Sequence, residues 1–122
     1  MPSTETRTGE IKISIESGDP VIREAGLWLD PHRPRDFAFV SHAHADHFAP
    51  HRRILCSKGT HLIAKTRYRP DKSEFLALDF GEIKELESGF RATLLPAGHI
   101  PGSAMLYLER MSDGATLLHT GD

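Results

Sequence analysis

Short apolar blocks, separated by glycine, proline or charged residues, recur along the whole chain. Blocks of this length predict β-strands, because an amphipathic helix needs apolar positions three and four apart over a longer stretch. We predict strands at residues 11–15, 21–22, 26–29, 36–40, 54–57, 76–78, 83–86, 90–95, 104–108 and 115–118. The last two form a predicted hairpin, and 18–20 is a predicted turn.

A helix is predicted at only one place with defined ends. Thr60 is a suitable N-cap for a helix over residues 61–68, and Pro70 ends that segment. The pattern as a whole therefore predicts a strand-rich α+β (or α/β) fold with one or two short helices.

The composition is that of one small domain. The chain has 122 residues, a length that is enough to form a hydrophobic core, and its net charge is -2. No stretch approaches the ~20 apolar residues of a membrane span, so no membrane association is expected. Residues 1–10 are polar, lack the apolar region of a signal peptide, and are expected to be a frayed end. The single Cys56 lies in an apolar run and is expected to pack in the core; together these features favour the cytoplasm.

The strongest chemical signal directly follows the strand predicted at 36–40. Residues 41–47 read Ser-His-Ala-His-Ala-Asp-His, so three histidines and an aspartate fall within six positions. Such a cluster is costly to keep for packing alone, and a carboxylate among imidazoles invites a divalent cation. The alternative is a polar turn of solvated histidines. A helical metal motif is not favoured, because it needs histidines four residues apart.

The spacing within this cluster suggests two metal ions. His42 and His44 are two residues apart, so an extended backbone directs both to the same side, roughly 6–7 Å apart. They can share one metal if the loop curls inward. Asp46 and His47 follow at once, point elsewhere, and suit a second metal close to the first.

The heptapeptide at 41–47 resembles the signature of the metallo-β-lactamase superfamily, and three further motifs occur in that family's order. Asp30 lies in Gly-Leu-Trp-Leu-Asp-Pro, His99 in Ala-Gly-His-Ile-Pro-Gly-Ser-Ala, and Asp122 in His-Thr-Gly-Asp. The resemblance implies an αββα sandwich with two metals at one edge of its sheets. Residues 1–122 would be the N-terminal half of that domain, truncated at the fourth motif.

The resemblance also implies a role for each matched residue. Mixed imidazole and carboxylate ligands suit zinc, so two divalent ions, with zinc as the favoured metal, are the expected cofactors. One metal would be bound by His42, His44 and His99, and the other by Asp46 and His47, with Asp122 bridging both. Two such cations activate water and neutralise charge in the transition state, which makes Asp46 and Asp122 the catalytic candidates.

Asp30 is expected to orient ligands rather than bind a metal. The alternative is an ordinary turn carboxylate before Pro31. The family's second half carries another metal-binding histidine that these residues do not include. We therefore expect residues 1–122 alone to be inactive and to bind metal weakly and incompletely.

Two local details bear on the substrate. No glycine follows the Asp-His pair, where lactamases and glyoxalases usually have glycines, and residues 96–108 and 120–122 look most like the β-CASP and Artemis-type nucleases. Bacterial exonuclease-like proteins related to messenger-RNA 3′-end processing factors share this pattern. The resulting hypothesis is a nuclease acting on DNA or RNA phosphodiesters. The alternatives are a glyoxalase-like thioesterase or lactamase-like hydrolase of small molecules, and an inactive metal-binding fragment.

Charge gives limited support for a nucleic-acid partner. Residues 51–72 contain seven basic side chains and one acid, and such a strip is able to hold a phosphate backbone. An ordinary solvated face is the alternative. The candidate contacts are Arg52, Arg53, Lys65, Arg67 and Arg69. Among the other histidines, His32, His51 and His61 are not expected to be ligands. For His119 a packing or surface role is favoured, and the alternative is that it lines the site from the last strand.

Overall fold

The structure is a computed structural model that describes residues 10–43, 50–67, 73–98 and 102–121, together with the backbone of residues 4–6. A short 3-10 helix spans Arg23–Ala25, and α1 spans Lys58–Arg67. The strands are β1 (Thr4–Thr6), β2 (Ser14–Glu16), β3 (Asp19–Ile22), β4 (Leu27–Leu29), β5 (Phe37–Phe39), β6 (Arg53–Ser57), β7 (Glu74–Leu78), β8 (Ile83–Glu85), β9 (Phe90–Pro96), β10 (Ala104–Arg110) and β11 (Thr116–His119).

The first sheet has the strand order β2-β3-β4-β5-β6-β7. Its first three strands are antiparallel, and β4 to β7 run parallel. Parallel strands end on the same edge of a sheet, so the residues that follow β4, β5 and β6 lie side by side there. Leu29 of β4 is opposite Phe39 of β5, which is opposite Leu55 of β6. This register brings Asp30 next to the start of the histidine cluster.

The second sheet is antiparallel and has the order β1-β11-β10-β9-β8. Residues 97–103 join β9 to β10, and the predicted hairpin joins β10 to β11. Alternate residues of β9 and β10 are buried, as expected when one face of a sheet packs on a core.

The larger of two clusters of buried apolar residues fills the space between the two sheets. It contains fully buried side chains from the first sheet, such as Leu27 and Phe39, and from the second, such as Leu94 and Leu106. Burial of apolar surface at roughly 25 cal/mol per Å² is the main force that holds the sheets together.

The helix α1 packs on the outer face of the first sheet. There Ala64 is fully buried, and the ring of His61 stacks on Phe75 with centroids 4.3 Å apart. The described part of the chain therefore has three layers: a helix, a sheet and a second sheet. This confirms the predicted strand-rich α+β class. The assignment to the metallo-β-lactamase sandwich stays a prediction.

Two predictions near the N-terminus are wrong. Thr4–Thr6 is not frayed, because its backbone pairs with β11. Residues 11–13 are not strand; β2 is Ser14–Glu16, in which Ile15 is 68% exposed, whereas Ile11 is buried outside any strand. The reason is that Ser14 pairs with Val21, and β3 ends one residue later at Ile22, directly before the 3-10 helix, so β3 does not extend alongside residues 11–13.

The helix is confirmed but begins earlier than predicted. It starts at Lys58, and the Ser57 hydroxyl caps it by accepting the Thr60 N–H at 3.0 Å. Thr60 is therefore inside the first turn rather than at the cap. Cys56 is fully buried, as expected, in a second and smaller apolar cluster with Val40 and Ile54. No helix within the described ranges has the length and apolar character needed to cross a membrane.

Candidate functional site

The described residues include one of the six predicted metal ligands, His42. The other five, His44, Asp46, His47, His99 and Asp122, lie outside the described ranges. Within the described ranges, no three His, Cys, Asp or Glu side chains form a group suited to a metal. The ligand set therefore stays a prediction, and what the structure gives is the surroundings of His42 and the ends of the loops that carry the other five.

Asp30 bridges the ends of β4 and β5. Its N–H donates to the Phe39 carbonyl at 2.8 Å, and its Oδ1 accepts the Ser41 N–H at 2.7 Å. The backbone of Asp30 is in the left-handed region, with φ 44. Aspartate adopts this conformation at moderate cost, and the two hydrogen bonds hold it there. The carboxylate thus fixes the residue that immediately precedes His42.

The other carboxylate oxygen of Asp30 contacts the second sheet. Its Oδ2 lies 3.2 Å from His119 Nε2, and both side chains are buried. The His119 ring also packs edge-on against Phe39, with centroids 5.8 Å apart. The prediction that His119 packs rather than lines the site is consistent with this position. Its hydrogen bond to Asp30 was missed, because no local pattern relates residues 30 and 119.

The Ser41 hydroxyl lies next to the first histidine. Ser41 Oγ and His42 Nδ1 are 3.0 Å apart. If the ring donates Nδ1–H to Oγ, its lone pair is on Nε2, which is the form of a neutral histidine that binds a metal through Nε2. This contact therefore fits a ligand role for His42.

The described ends of three candidate ligand loops meet at Ser41. The Ala104 N–H, just beyond the loop that contains His99, donates to the Ser41 carbonyl at 2.8 Å. Gly121, which directly precedes Asp122, is buried against Ser41: a Cβ added to it would lie 3.0 Å from Ser41 Cβ. Residues that flank three separate predicted ligand segments are thus in contact, although they are far apart in sequence.

The described members of the predicted nucleic-acid contacts lie on β6 and on α1. Arg52 and Arg53 are at the start of β6, the end remote from Ser41, where they pair with Asp36 at 2.6 Å and Glu74 at 3.5 Å. Lys65 is exposed on α1. Arg67 ends α1, and Arg69 lies outside the described residues. The interpretation of this strip as a phosphate-binding surface stays a prediction.

Two described histidines that were not predicted as ligands, His51 and His32, make contacts away from Ser41. His51 is buried, and its Nδ1 accepts the Arg35 N–H at 3.0 Å near the start of β6. The exposed His32 lies 3.6 Å from Asp19. Asp19 is itself buried; burial alone would raise the pKa of its carboxyl, but hydrogen bonds from His32 N–H and Arg35 lower that pKa overall.

No family model matches the sequence. The chain is 46% identical over 99 residues to a probable DNA ligase of Opitutus terrae, a match that covers 81% of this chain and 10% of that protein. It is 32% identical over 90 residues to the DNA cross-link repair protein SNM1 of Arabidopsis thaliana, covering 69% of this chain and 18% of that protein. It is 33% identical over 89 residues to the DNA cross-link repair 1A protein of Mus musculus, a match that covers 69% of this chain and 8% of that protein.

The chain thus spans less than a fifth of the length of each of these relatives. The matches nevertheless cover more than two thirds of the chain itself. Most of this sequence is therefore similar to segments of proteins that are named for DNA ligation and DNA cross-link repair.

Proposed function

We propose that this chain is part of a metal-dependent nuclease that hydrolyses phosphodiester bonds of DNA. The observation that carries the proposal is the meeting of three loop ends at Ser41, directly beside His42. Each of these loops contains residues that the sequence assigns to a metal pair. Similarity to proteins named for DNA repair and DNA ligation supports DNA over RNA as the substrate.

The proposed ligands have the right chemistry for zinc. Imidazole nitrogens and carboxylate oxygens are its usual donors, and the Ser41 contact suits a ligating His42. When bound, two divalent ions would supply an activated water and neutralise charge on the phosphoryl group. The proposed ligands are His42, His44, Asp46, His47, His99 and Asp122.

The described residues contribute a hydrogen-bonded backbone at Ser41, from which the segment that carries the first ligands begins. The Asp30 carboxylate accepts the Ser41 N–H, and the Ala104 N–H donates to the Ser41 carbonyl. Both backbone polar groups of Ser41 are therefore hydrogen-bonded. His119 in turn contacts Asp30 from the second sheet. Pre-organisation of this kind places reacting groups without loss of entropy at the moment of reaction.

DNA would be held electrostatically. The basic residues of 51–72 are the candidates for phosphate contacts. Of those on α1, Lys58 begins the helix at the edge where β6 ends beside the site, whereas Lys65 and Arg67 lie towards the end of the helix that leads to the start of β7. Each phosphate contact releases counterions, so binding should weaken as salt rises. Arg52 and Arg53 lie at the opposite end of β6, and their ion pairs make them weaker candidates for this role.

The test uses the product of the complete reading frame. It is incubated with end-labelled single-stranded DNA, with RNA of the same sequence and with a chromogenic ester, in the presence of Zn²⁺ or Mn²⁺ or of a chelator. We expect DNA cleavage that the chelator abolishes and added metal restores. His42→Ala should abolish it, and His32→Ala, an exposed histidine near Asp19, should not. Ester turnover without DNA cleavage would overturn the proposal.

A further inference from the structure

The N-terminus of α1 is hydrogen-bonded to the loop that contains His99. The hydroxyls of Ser57 and Thr60 both donate to the Gly102 carbonyl, the latter at 3.1 Å. Both hydroxyl-bearing residues are fully buried, with exposed fractions of 1% and 0%. Buried hydroxyls are costly unless they are hydrogen-bonded, so these two stabilise the structure only while Gly102 stays in place.

Two glycines allow this approach. A Cβ on Gly59 would lie 2.8 Å from Gly102 Cα, and a Cβ on Gly102 would lie 2.8 Å from the Thr60 nitrogen. Both atoms are backbone, so neither is able to move aside as a flexible side chain would. The backbone of Gly102, with φ +84, is also in the region that favours glycine. The helix and the loop therefore touch backbone to backbone.

The Thr60 hydroxyl is not needed to cap the helix. Ser57 Oγ already accepts the Thr60 N–H at 3.0 Å, which satisfies a donor of the first turn. The Thr60 hydroxyl instead points away from the helix to Gly102. Capping alone therefore explains Ser57 but leaves the buried Thr60 hydroxyl without a reason.

The same loop is fixed at its base. The Ala97 N–H donates to the Ser103 carbonyl at 2.9 Å and closes the loop, and the Ala104 N–H donates to Ser41 at 2.8 Å. These bonds hold Ala97, Ser103 and Ala104 at the ends of residues 97–103. The contact of Gly102 with α1 adds a further fixed point next to Ser103.

We infer that Ser57 and Thr60 are positioning residues for the metal centre: they hold Gly102, three residues after His99, so that the loop presents His99 to the metal. The inference rests on the proposed function. It adds that α1 takes part in assembling the site, and it assigns a role to two hydroxyls that the sequence did not mark as functional.

The experiment compares Thr60→Val, which keeps the shape but removes the hydroxyl, with Thr60→Ser, which keeps the hydroxyl. The matched control is Thr66→Val, because the exposed Thr66 hydroxyl donates to Leu62 O within the same helix. The product of the complete reading frame is titrated with Zn²⁺ and with Co²⁺, whose absorption spectrum reports ligand geometry. The melting temperature of each metal-free variant is measured in parallel.

We expect Thr60→Val to lower metal affinity about 10- to 100-fold and to alter the Co²⁺ spectrum. Thr60→Ser and Thr66→Val should match the wild type in both. The inference is overturned if Thr60→Val lowers the melting temperature but leaves affinity and spectrum unchanged, since its role would then be structural only.

The two proposals fail in different ways. If the wild type neither binds metal nor cleaves DNA, the proposed function is wrong and this inference falls with it. If the wild type does both and Thr60→Val behaves like Thr66→Val, only the inference about α1 is wrong.

Discussion

The imidazole of His119 meets the carboxylate of Asp30 between the two sheets, with Nε2 and Oδ2 3.2 Å apart. His119 ends β11 of the second sheet, and Asp30 follows β4 of the first. Since the other oxygen of Asp30 accepts the Ser41 N–H, this pair connects both sheets to the backbone that carries His42. A polar contact between the two sheets thus lies next to Ser41 and the candidate site.

Replacement of Asp30 by alanine should destabilise the fold. The Ser41 N–H loses its acceptor, and a buried donor left without one costs about 1–3 kcal/mol. We therefore expect the free energy of unfolding in urea to fall by about this amount. Asp36→Ala is the control, because Asp36 is an exposed partner of Arg52 and its loss should change stability little. Equal effects of the two substitutions would show that the contact with Ser41 contributes nothing.

Gly121→Ala should disturb Ser41 specifically. The added Cβ would lie 3.0 Å from Ser41 Cβ and 3.2 Å from its Oγ. Gly114→Ala is a matched control, because both glycines have a positive φ, +79 and +75, but Gly114 has nothing within 4 Å of the added atom. Both variants should lose stability from backbone strain, of order 1 kcal/mol.

Only Gly121→Ala should also weaken Zn²⁺ binding, as measured by titration with a competing chelator. The reason is that Ser41 carries His42 and contacts it through Oγ. Equal Zn²⁺ affinity in the two variants would mean that Gly121 does not position the metal-binding segment.

Cys56 should be chemically inert in the folded protein. Burial raises the pKa of its thiol to about 12, so the reactive thiolate is scarce at neutral pH, and the side chain is inaccessible. An aromatic disulfide reagent at pH 8 is expected to react with it only after denaturation. Rapid stoichiometric reaction of the native protein would place Cys56 outside the core.

Acid should lower the free energy of unfolding through protonation of Asp19. Burial opposes ionisation of this carboxyl, but hydrogen bonds from His32 N–H and Arg35 outweigh it and hold its pKa below 3.8. A folded-state pKa below the unfolded one gives stability that is present above the unfolded value and is lost as the pH falls through the folded value. Urea unfolding between pH 6 and pH 2 should therefore depend less steeply on pH in Asp19→Asn than in the wild type. Identical slopes would contradict this.

Local patterns predicted most of the strands but not the longest-range pairing. Phe37–Phe39 and the hairpin of β10 and β11 were predictable, because apolar blocks and a turn define them within a few residues. The strand Thr4–Thr6 was not, because its residues are polar and its partner, β11, lies more than a hundred residues away. Pairing between such distant segments depends on the assembled sheet rather than on the sequence of either strand.

Only part of the surroundings of the candidate site was predictable. The position of Asp30 beside Ser41 follows from two parallel strands that end on one edge, and both strands were predicted from sequence. The contact of Gly59 with Gly102 was not predictable, since it depends on how α1 packs against a loop of the other sheet. The cap was misassigned to Thr60 because serine and threonine are both good caps and only the start of the helix distinguishes them.

The number of zinc ions bound per molecule decides whether His42 belongs to a two-metal centre. It is measured on the product of the complete reading frame, for the wild type and for His42→Ala. We predict two ions for the wild type and for the His32→Ala control. His42→Ala should lose at least one ion and should no longer cleave DNA. Two ions and undiminished cleavage in His42→Ala would contradict this prediction.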